Sequence, residues 1–450
     1  MNDIVFPVDT LVALRKNLLD YSPNEAAAVL LAGPVVRAGR TRLLVREAFP
    51  VPTQSCSDQG PYRVSVSATF IAPLLKRARN EGWSLVMAHT HPFSDGVVGF
   101  STVDDDGEAA LFPTVFGRAA DRPHGSLVLG LNHATARLWR SPIGPPEPVD
   151  RLVECGRNWR VSLPTAPKLH SDSEEYDRSV RAFGAEGQAT IASLRFGIVG
   201  LGGTGSIVAQ ELAHLGATNL KLVDFDRVER SNLNRLIGAN RDSVGKPKAE
   251  IVAQNVRAIS DGIVAEPIVG NVLNVSSVAR LLDCDLIFCC TDSHGSRAVL
   301  NQLSYQYMIP TIDMGVRIQV VDGKVTDIAG RVQMLGPGLP CLVCNGFLDS
   351  EQVRRDLLTD EARSRDPYIV GASEPQPAVV SLNGTVASMA VTMMLAAVTG
   401  MPSSARHQVL IATRGIVRAI DSIAEPGCVI CSLRGALGRG DTRSLPGRPE

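Results

Sequence analysis

The chain has 450 residues, 44% of them hydrophobic and 20% charged, with 45 Lys and Arg against 46 Asp and Glu. That composition excludes wholesale disorder, and a formal net charge of -1 excludes a general basic surface for nucleic acid. At about 100–200 residues per domain, two or three domains are expected.

The first four residues, Met1 to Ile4, carry no basic or apolar leader pattern, and no apolar run reaches the ~20 residues of a membrane span. A cytoplasmic protein without membrane segments is therefore expected. An amphipathic helix over 11–19, an apolar run over 26–32 and buried strands at 84–88 and 126–131 make an α/β domain of residues 1–150. Prolines crowd 141–148, and the linker is placed at 151–173. From 174 to 435, strands at 196–199, 220–223 and 286–290 alternate with helices at 207–215, 248–259 and 297–306. Such alternation implies a mostly parallel, Rossmann-like sheet covered by helices on both faces. Residues 386–398 read as a buried helix, and the Gly- and Arg-rich stretch 436–450 as a disordered tail.

The strand at 84–88 runs into His89 and His91. Residues i and i+2 of an extended chain share a face, so both imidazoles can reach one metal. Ser101 and Asp104 follow in a Ser-x-x-Asp pattern, and Asp104 offers a third ligand. Two His and one Asp leave a position open for water, the arrangement of catalytic zinc. Glu25 opens the apolar run and is the candidate general base. These residues resemble the JAMM (JAB/MPN) metalloprotease pattern. The resemblance implies that His89, His91 and Asp104 bind zinc, that Glu25 activates water and that Ser101 hydrogen-bonds the oxyanion. It also implies a hydrolase that cuts after the C-terminal glycine of a ubiquitin-like protein. The spacing from His91 to Ser101 is slightly longer than in eukaryotic members, which leaves Asp105 and Asp106 as alternatives to Asp104.

Residues 196–206 form a strand, a turn with Gly200, Gly202, Gly203 and Gly205, and the start of a helix. Glycines let backbone approach phosphate, and a helix N-terminus offers N–H groups to negative charge. Asp224 ends the next strand, where a carboxylate can bind ribose. An NAD site and an ATP site both fit to this point. The following run holds Asn232 and Asn234, and its Arg235 and Lys248 favour ATP, because attack on a triphosphate needs cations on the phosphoryl oxygens. Asp292, after a buried strand, is the candidate magnesium ligand. From Glu174 to about Leu433 the chain resembles the ubiquitin-activating superfamily and its bacterial ThiF/MoeB-type adenylyltransferases. That resemblance assigns Asp224 to ribose, Arg235 and Lys248 to phosphates and Asp292 to Mg²⁺. It assigns Arg178 to the partner subunit's ATP site, which implies a homodimer. It further implies that ATP adenylates the C-terminal glycine of a ubiquitin-like protein.

Nine cysteines include two Cys-x-x-Cys pairs, Cys341/Cys344 and Cys428/Cys431, which read as one four-thiolate structural zinc site. The remaining five are Cys56, Cys155, Cys284, Cys289 and Cys290. Residues 366–378, where relatives usually carry a thioester-forming cysteine, contain Ser373 and no Cys. Adenylation without an enzyme thioester is therefore expected, the acyl group passing to a partner thiol or to sulfide. The combined reading is a bifunctional peptidase and adenylyltransferase of a bacterial ubiquitin-like system, with a conjugating-enzyme-like protein as a further partner. Activation of a sulfur carrier for a cofactor or siderophore pathway, and a non-catalytic scaffold for a ubiquitin-like protein, are the alternatives.

Overall fold

The structure is a computed structural model that describes residues 1–37, 39–162, 174–260, 262–359 and 377–449. Among these, the N-terminal half contains β1 (Asn2–Pro7), α1 (Thr10–Leu19), β2 (Ala27–Arg37), β3 (Arg40–Pro50), β4 (Cys56–Gly60), β5 (Arg63–Val66), α2 (Ala68–Glu81), β6 (Ser84–Thr90) and α3 (Thr102–Arg118). It continues with β7 (His124–Leu129), β8 (Ala134–Trp139), β9 (Glu147–Pro148), β10 (Arg151–Cys155) and β11 (Arg160–Ser162). These strands build a nine-stranded sheet in the order β11-β10-β1-β3-β2-β6-β7-β8-β9, with β4 and β5 as a separate hairpin. The run 26–32 is apolar throughout because both faces of β2 are covered. Ala28 and Leu30 pack with Leu11, Leu14 and Leu18 of α1, while Val29 packs with Phe112 and Val115 of α3.

The second half comprises α4 (Asp177–Ser193), β12 (Arg195–Val199), α5 (Gly205–His214), β13 (Asn219–Asp224), α6 (Lys248–Arg257), β14 (Val264–Val269), α7 (Val275–Ala279), β15 (Leu286–Cys289) and α8 (His294–Gln306). After these come β16 (Thr311–Val321), β17 (Lys324–Leu335), α9 (Ser350–Leu357), α10 (Val380–Val398), β18 (His407–Ile411) and β19 (Ile416–Ala419). Its eight strands run in the order β14-β13-β12-β15-β16-β17-β18-β19. The five from β14 to β16 are parallel and the rest antiparallel. Chain order reverses between β12 and β15, which opens a crevice beyond their C-terminal ends, where ligands bind in open α/β sheets. The helix expected at 386–398 starts six residues earlier and is long and apolar enough to cross a membrane. Half of it is buried, with Val386, Ala387, Ala390 and Met394 in the core of the second half.

Two segments differ from expectation. Residues 151–162, expected as linker, belong to the first sheet. β10 pairs in parallel with β1 from Asp3↔Arg151 to Pro7↔Cys155, and β11 pairs antiparallel to β10. The preceding prolines obscured a strand whose five residues are all buried. The remainder of that linker, 163–173, lies outside the described residues. The tail expected to be disordered is packed against both halves, with Ala436 and Leu437 buried. Its few apolar residues matter little, because hydrogen bonds and close backbone contacts hold it. Asp441 pairs with Arg37 at 2.7 Å, and the Gln306 amide donates to the carbonyls of Gly440, Arg443 and Ser444.

The two halves share one continuous core. Val5, Val35, Leu44, Val153 and Cys155 on one face of the first sheet pack in a cluster with Phe196, Phe288 and Met308. The contact falls at the N-terminal ends of β15 and β16, where Asp285 and Met308 meet Arg40, Arg42 and Arg151. The crevice at the opposite ends of these strands is left open.

Candidate functional site

In the first half, β2 and β6 pair antiparallel with Ala27 opposite His89. Continuing that register past the strand ends, two residues before Ala27 and two after His89, sets Glu25 opposite His91. The Glu25 Oε1 to His91 Nε2 distance is 3.7 Å. Asp104 comes from the first turn of α3. Its two oxygens lie 2.9 Å from His89 Nε2 and 3.4 Å from His91 Nε2. The two imidazole nitrogens are 3.3 Å apart. A tetrahedral zinc ion with ligands at about 2.05 Å needs donor atoms about 3.3 Å apart, so this triad fits the metal.

The structure also separates the neighbouring carboxylates. Asp105 is taken by Arg137 at 2.7 Å, and Asp106 is exposed. Ser101 is the N-cap of α3. Its hydroxyl donates to Asp104 Oδ2 at 2.8 Å and accepts from the Asp104 N–H, a reciprocal cap that fixes the carboxylate. Burial pushes the Asp104 carboxyl up, but hydrogen bonds from His89 and His91 outweigh this and hold it well below the usual range. Burial raises the Glu25 carboxyl despite the two imidazoles nearby. The hydrogen bond to Asp104 raises His91.

The crevice of the second half is a cleft of about 450 Å³. Gly200, Gly202, Gly203, Asp224, Arg235, Lys248 and Asp292 all line it. Gly205 and Asn234 are not among its lining residues. Gly205 instead lets the first turn of α5 press on Gly200, where an added Cβ would collide with the Gly200 carbonyl. Asn234 accepts from Arg235 at 3.0 Å and so acts one residue away. Both Asp224 oxygens are engaged, one by the Leu201 N–H at 2.6 Å and the other by the Asp226 N–H at 2.8 Å. Burial raises its pKa, opposed by Lys248. Lys248 is not free: its ammonium donates to Asp226 at 2.7 Å. Glycine backbone, two cations and the exposed carboxylate of Asp292 form a donor set that fits a triphosphate with a divalent cation.

Several cleft residues escaped the sequence reading. Arg297 donates to the carbonyls of Thr291 at 3.1 Å and Met314 at 3.2 Å. A lone Arg early in an apolar helix was the only available signal. Asn383, from α10, reaches Gly203 so closely that a Cβ there would collide with its amide. Arg178 is exposed on α4 and lies outside the cleft of its own chain.

The four cysteines of the two Cys-x-x-Cys pairs converge. Cys341 lies 3.7 Å from Cys344 and 3.6 Å from Cys428, and Cys344 lies 3.5 Å from Cys431, sulfur to sulfur. Tetrahedral Zn–S bonds of about 2.3 Å require sulfurs about 3.8 Å apart, so the cluster fits structural zinc. The other five thiols are all pushed up by burial, Cys155 to about 12. Cys290 nevertheless lines the nucleotide cleft. Ser373 lies outside the described residues.

The "ThiF family" model matches residues 176–424. The chain is similar to the molybdopterin-synthase adenylyltransferase of Escherichia coli (strain K12), with 31% identity over 265 residues, 58% of this chain and 98% of that protein. It is also similar to the SAMP-activating enzyme E1 of Haloferax volcanii, with 33% identity over 181 residues, 39% of this chain and 64% of the relative. A crystal structure of E. coli MccB with ATP is similar with a TM-score of 0.46 and 18% identity, covering 59% of this chain and 76% of that one. The family match spans more than half of the chain and takes in every cleft residue named above; the chain belongs to the ThiF family.

Proposed function

We propose that the second half adenylates the C-terminal glycine of a ubiquitin-like protein, and that the first half is a zinc metallopeptidase acting on the same glycine. The cleft supports the first activity most directly. It gathers phosphate-binding backbone, Asp224, Arg235, Lys248 and Asp292 around one crevice. The glycine carboxylate attacks the α-phosphorus of ATP, the bond to the β-phosphate oxygen breaks, and pyrophosphate leaves. Arg235 and Lys248 stabilise the charge that gathers on the phosphoryl oxygens. Lys248 gives up Asp226 or shares its three N–H donors to do so.

The convergence of Glu25, His89, His91 and Asp104 supports the peptidase. Zinc, when bound, supplies a Lewis acid that polarises the scissile carbonyl and acidifies water. His89, His91 and Asp104 would hold it, Glu25 would accept the water proton and pass it to the leaving amine, and Ser101, expected on the oxyanion, spends its hydroxyl on Asp104 and would orient that carboxylate instead. No thioester on this chain is part of the reading. The five cysteines outside the zinc cluster are thiols with raised pKa, poor nucleophiles at neutral pH. A partner's thiol or sulfide then attacks the carbonyl of the acyl-adenylate, taking the acyl group and releasing AMP. Arg178, exposed on α4, serves the cleft of a second copy in a homodimer.

ATP–pyrophosphate exchange tests the first activity: it should require a glycine-ended ubiquitin-like protein and vanish in Asp292→Ala. Absence of exchange with every such protein would leave a binding scaffold. Exchange supported by a sulfur carrier would favour the alternative that the molybdopterin-synthase relative suggests by name.

A further inference from the structure

The segment 437–448 follows the zinc cluster, crosses the edge of β2 and ends on a wall of the nucleotide cleft. Close contacts with β2 mark its start: a Cβ on Gly33 would collide with the Gly438 carbonyl, and Gly440 takes φ +51° against Pro34. Asp441 then forms a two-pronged pair with the Arg37 guanidinium, at 2.7 and 2.8 Å. Next, the Gln306 amide donates to the carbonyls of Gly440, Arg443 and Ser444 of the segment. At its end, Arg448 adds one rung to the chain between β14 and α7. Arg448 N–H donates to the Leu273 carbonyl at 2.7 Å, and Val275 N–H donates to the Arg448 carbonyl at 3.1 Å.

The Arg448 side chain extends this contact in two directions. Its Nε donates to Asn274 Oδ1 at 2.8 Å, and one terminal nitrogen donates to the Leu358 carbonyl at 2.7 Å. Gly270, Asn271 and Val272, just before the first of these partners, line the cleft. Leu358 follows α9, whose Asp356 accepts from Gly295 N–H at 2.8 Å and from Ser293 Oγ at 3.0 Å. Ser293 also lines the cleft, beside Asp292. One guanidinium therefore ties Asn274, two residues past the cleft-lining Val272, to the end of α9, whose Asp356 holds the cleft-lining Ser293.

We propose that Arg448 is a positioning residue of the nucleotide site, and that the strap 437–448 holds the 270–274 wall in its nucleotide-binding arrangement. This rests on the nucleotide reading given above. A wall that is already ordered costs less to order when ligand arrives, so the strap acts on affinity rather than on chemistry. Gly447 is what permits the contact: it takes φ +116°, and an added Cβ would stand 2.8 Å from the Leu273 carbonyl.

The test is MgATP binding to the full chain by calorimetry, with amide hydrogen exchange and zinc content on the same samples. Arg448→Ala should weaken MgATP about tenfold, the loss of one to two charge-assisted hydrogen bonds. Exchange should accelerate at 270–275 while zinc content stays at the wild-type value. In pyrophosphate exchange, KM for ATP should rise with kcat nearly unchanged. Arg448→Lys, which can still donate to Leu358, should recover part of the affinity. Gly447→Val should reproduce the defect with Arg448 intact. Equal MgATP affinity in wild type, Arg448→Ala and Gly447→Val overturns the proposal, as does a fall in kcat with KM unchanged. Failure of the wild type itself to bind MgATP instead overturns the nucleotide reading.

Discussion

Arg151 and Asp285 meet at 2.8 Å across the junction of the two halves, both buried. Asp3 and Arg40 complete the group: each guanidinium touches both carboxylates. Three of the four come from the first sheet and Asp285 comes from the start of β15. Taking one ion out of such a group leaves a buried charge short of a partner, which costs about 3 kcal/mol or more. Arg151→Ala is therefore expected to destabilise the chain by about 3 kcal/mol. Urea denaturation followed by the buried Trp83, Trp139 and Trp159 provides the measurement. An unchanged midpoint would show that the junction does not support the fold.

The same group sets an acid limit. Burial pushes Asp3 up, but the hydrogen bond and charge of Arg151, together with Arg40 and Arg42, hold it at about 2 against an ordinary 3.8. Asp285 is lowered in the same way by Arg151 and Arg40. A carboxyl held down in the folded state stabilises that state wherever it is ionised. The contribution of Asp3 is thus complete above about pH 4 and disappears as pH falls through about 2, a loss of about 2 kcal/mol. Stability measured from pH 5 to pH 2 should fall less steeply in Asp3→Asn than in wild type, from a lower starting point. Parallel curves would refute the assignment.

Metal content separates the two clusters without any appeal to activity. Wild type should carry zinc at two sites per chain, and Cys344→Ser and His89→Ala should each lose one. Glu25→Gln should keep both, because Glu25 stands 3.7 Å from His91 while Asp104 reaches both imidazoles at 2.9 and 3.4 Å. Loss of metal in Glu25→Gln, by elemental analysis, would make Glu25 a ligand rather than a base.

Much of this was legible because the chemistry is local or periodic. His89 and His91 announce themselves by i, i+2 spacing at a strand end, and the four cysteines by two short pairs. Glu25 was legible for a different reason: it stands at the mouth of an apolar strand, and antiparallel pairing with β6 carries it to His91. Asp104 could be told from Asp105 only in three dimensions, because both lie in the first turn of α3 and Arg137, from β8, claims one of them. Asp3, Arg40, Arg151 and Asp285 look like ordinary surface charges until the two sheets are brought together. The tail departs from its composition, because Gly and Arg usually signal solvation. Here the glycines permit close backbone contact, and the Arg448 side chain fastens it.

The glycine turn offers the sharpest test of the nucleotide cleft, because two adjacent glycines do different work. A Cβ on Gly203 would collide with the amide of Asn383, a buried residue of α10. A Cβ on Gly202 meets nothing within 4 Å, and Gly202 lines the cleft. Gly203→Ala must therefore displace the turn or the helix in the protein without ligand, at a cost of about 1–3 kcal/mol. Gly202→Ala should leave that stability unchanged and place its methyl where phosphate approaches the backbone. Both should weaken MgATP at least about tenfold, but only Gly203→Ala should also lower the unfolding midpoint in the absence of nucleotide. Normal MgATP affinity in Gly202→Ala would mean that the phosphates do not approach this turn, and the positions assigned to Lys248 and Arg235 would fall with it.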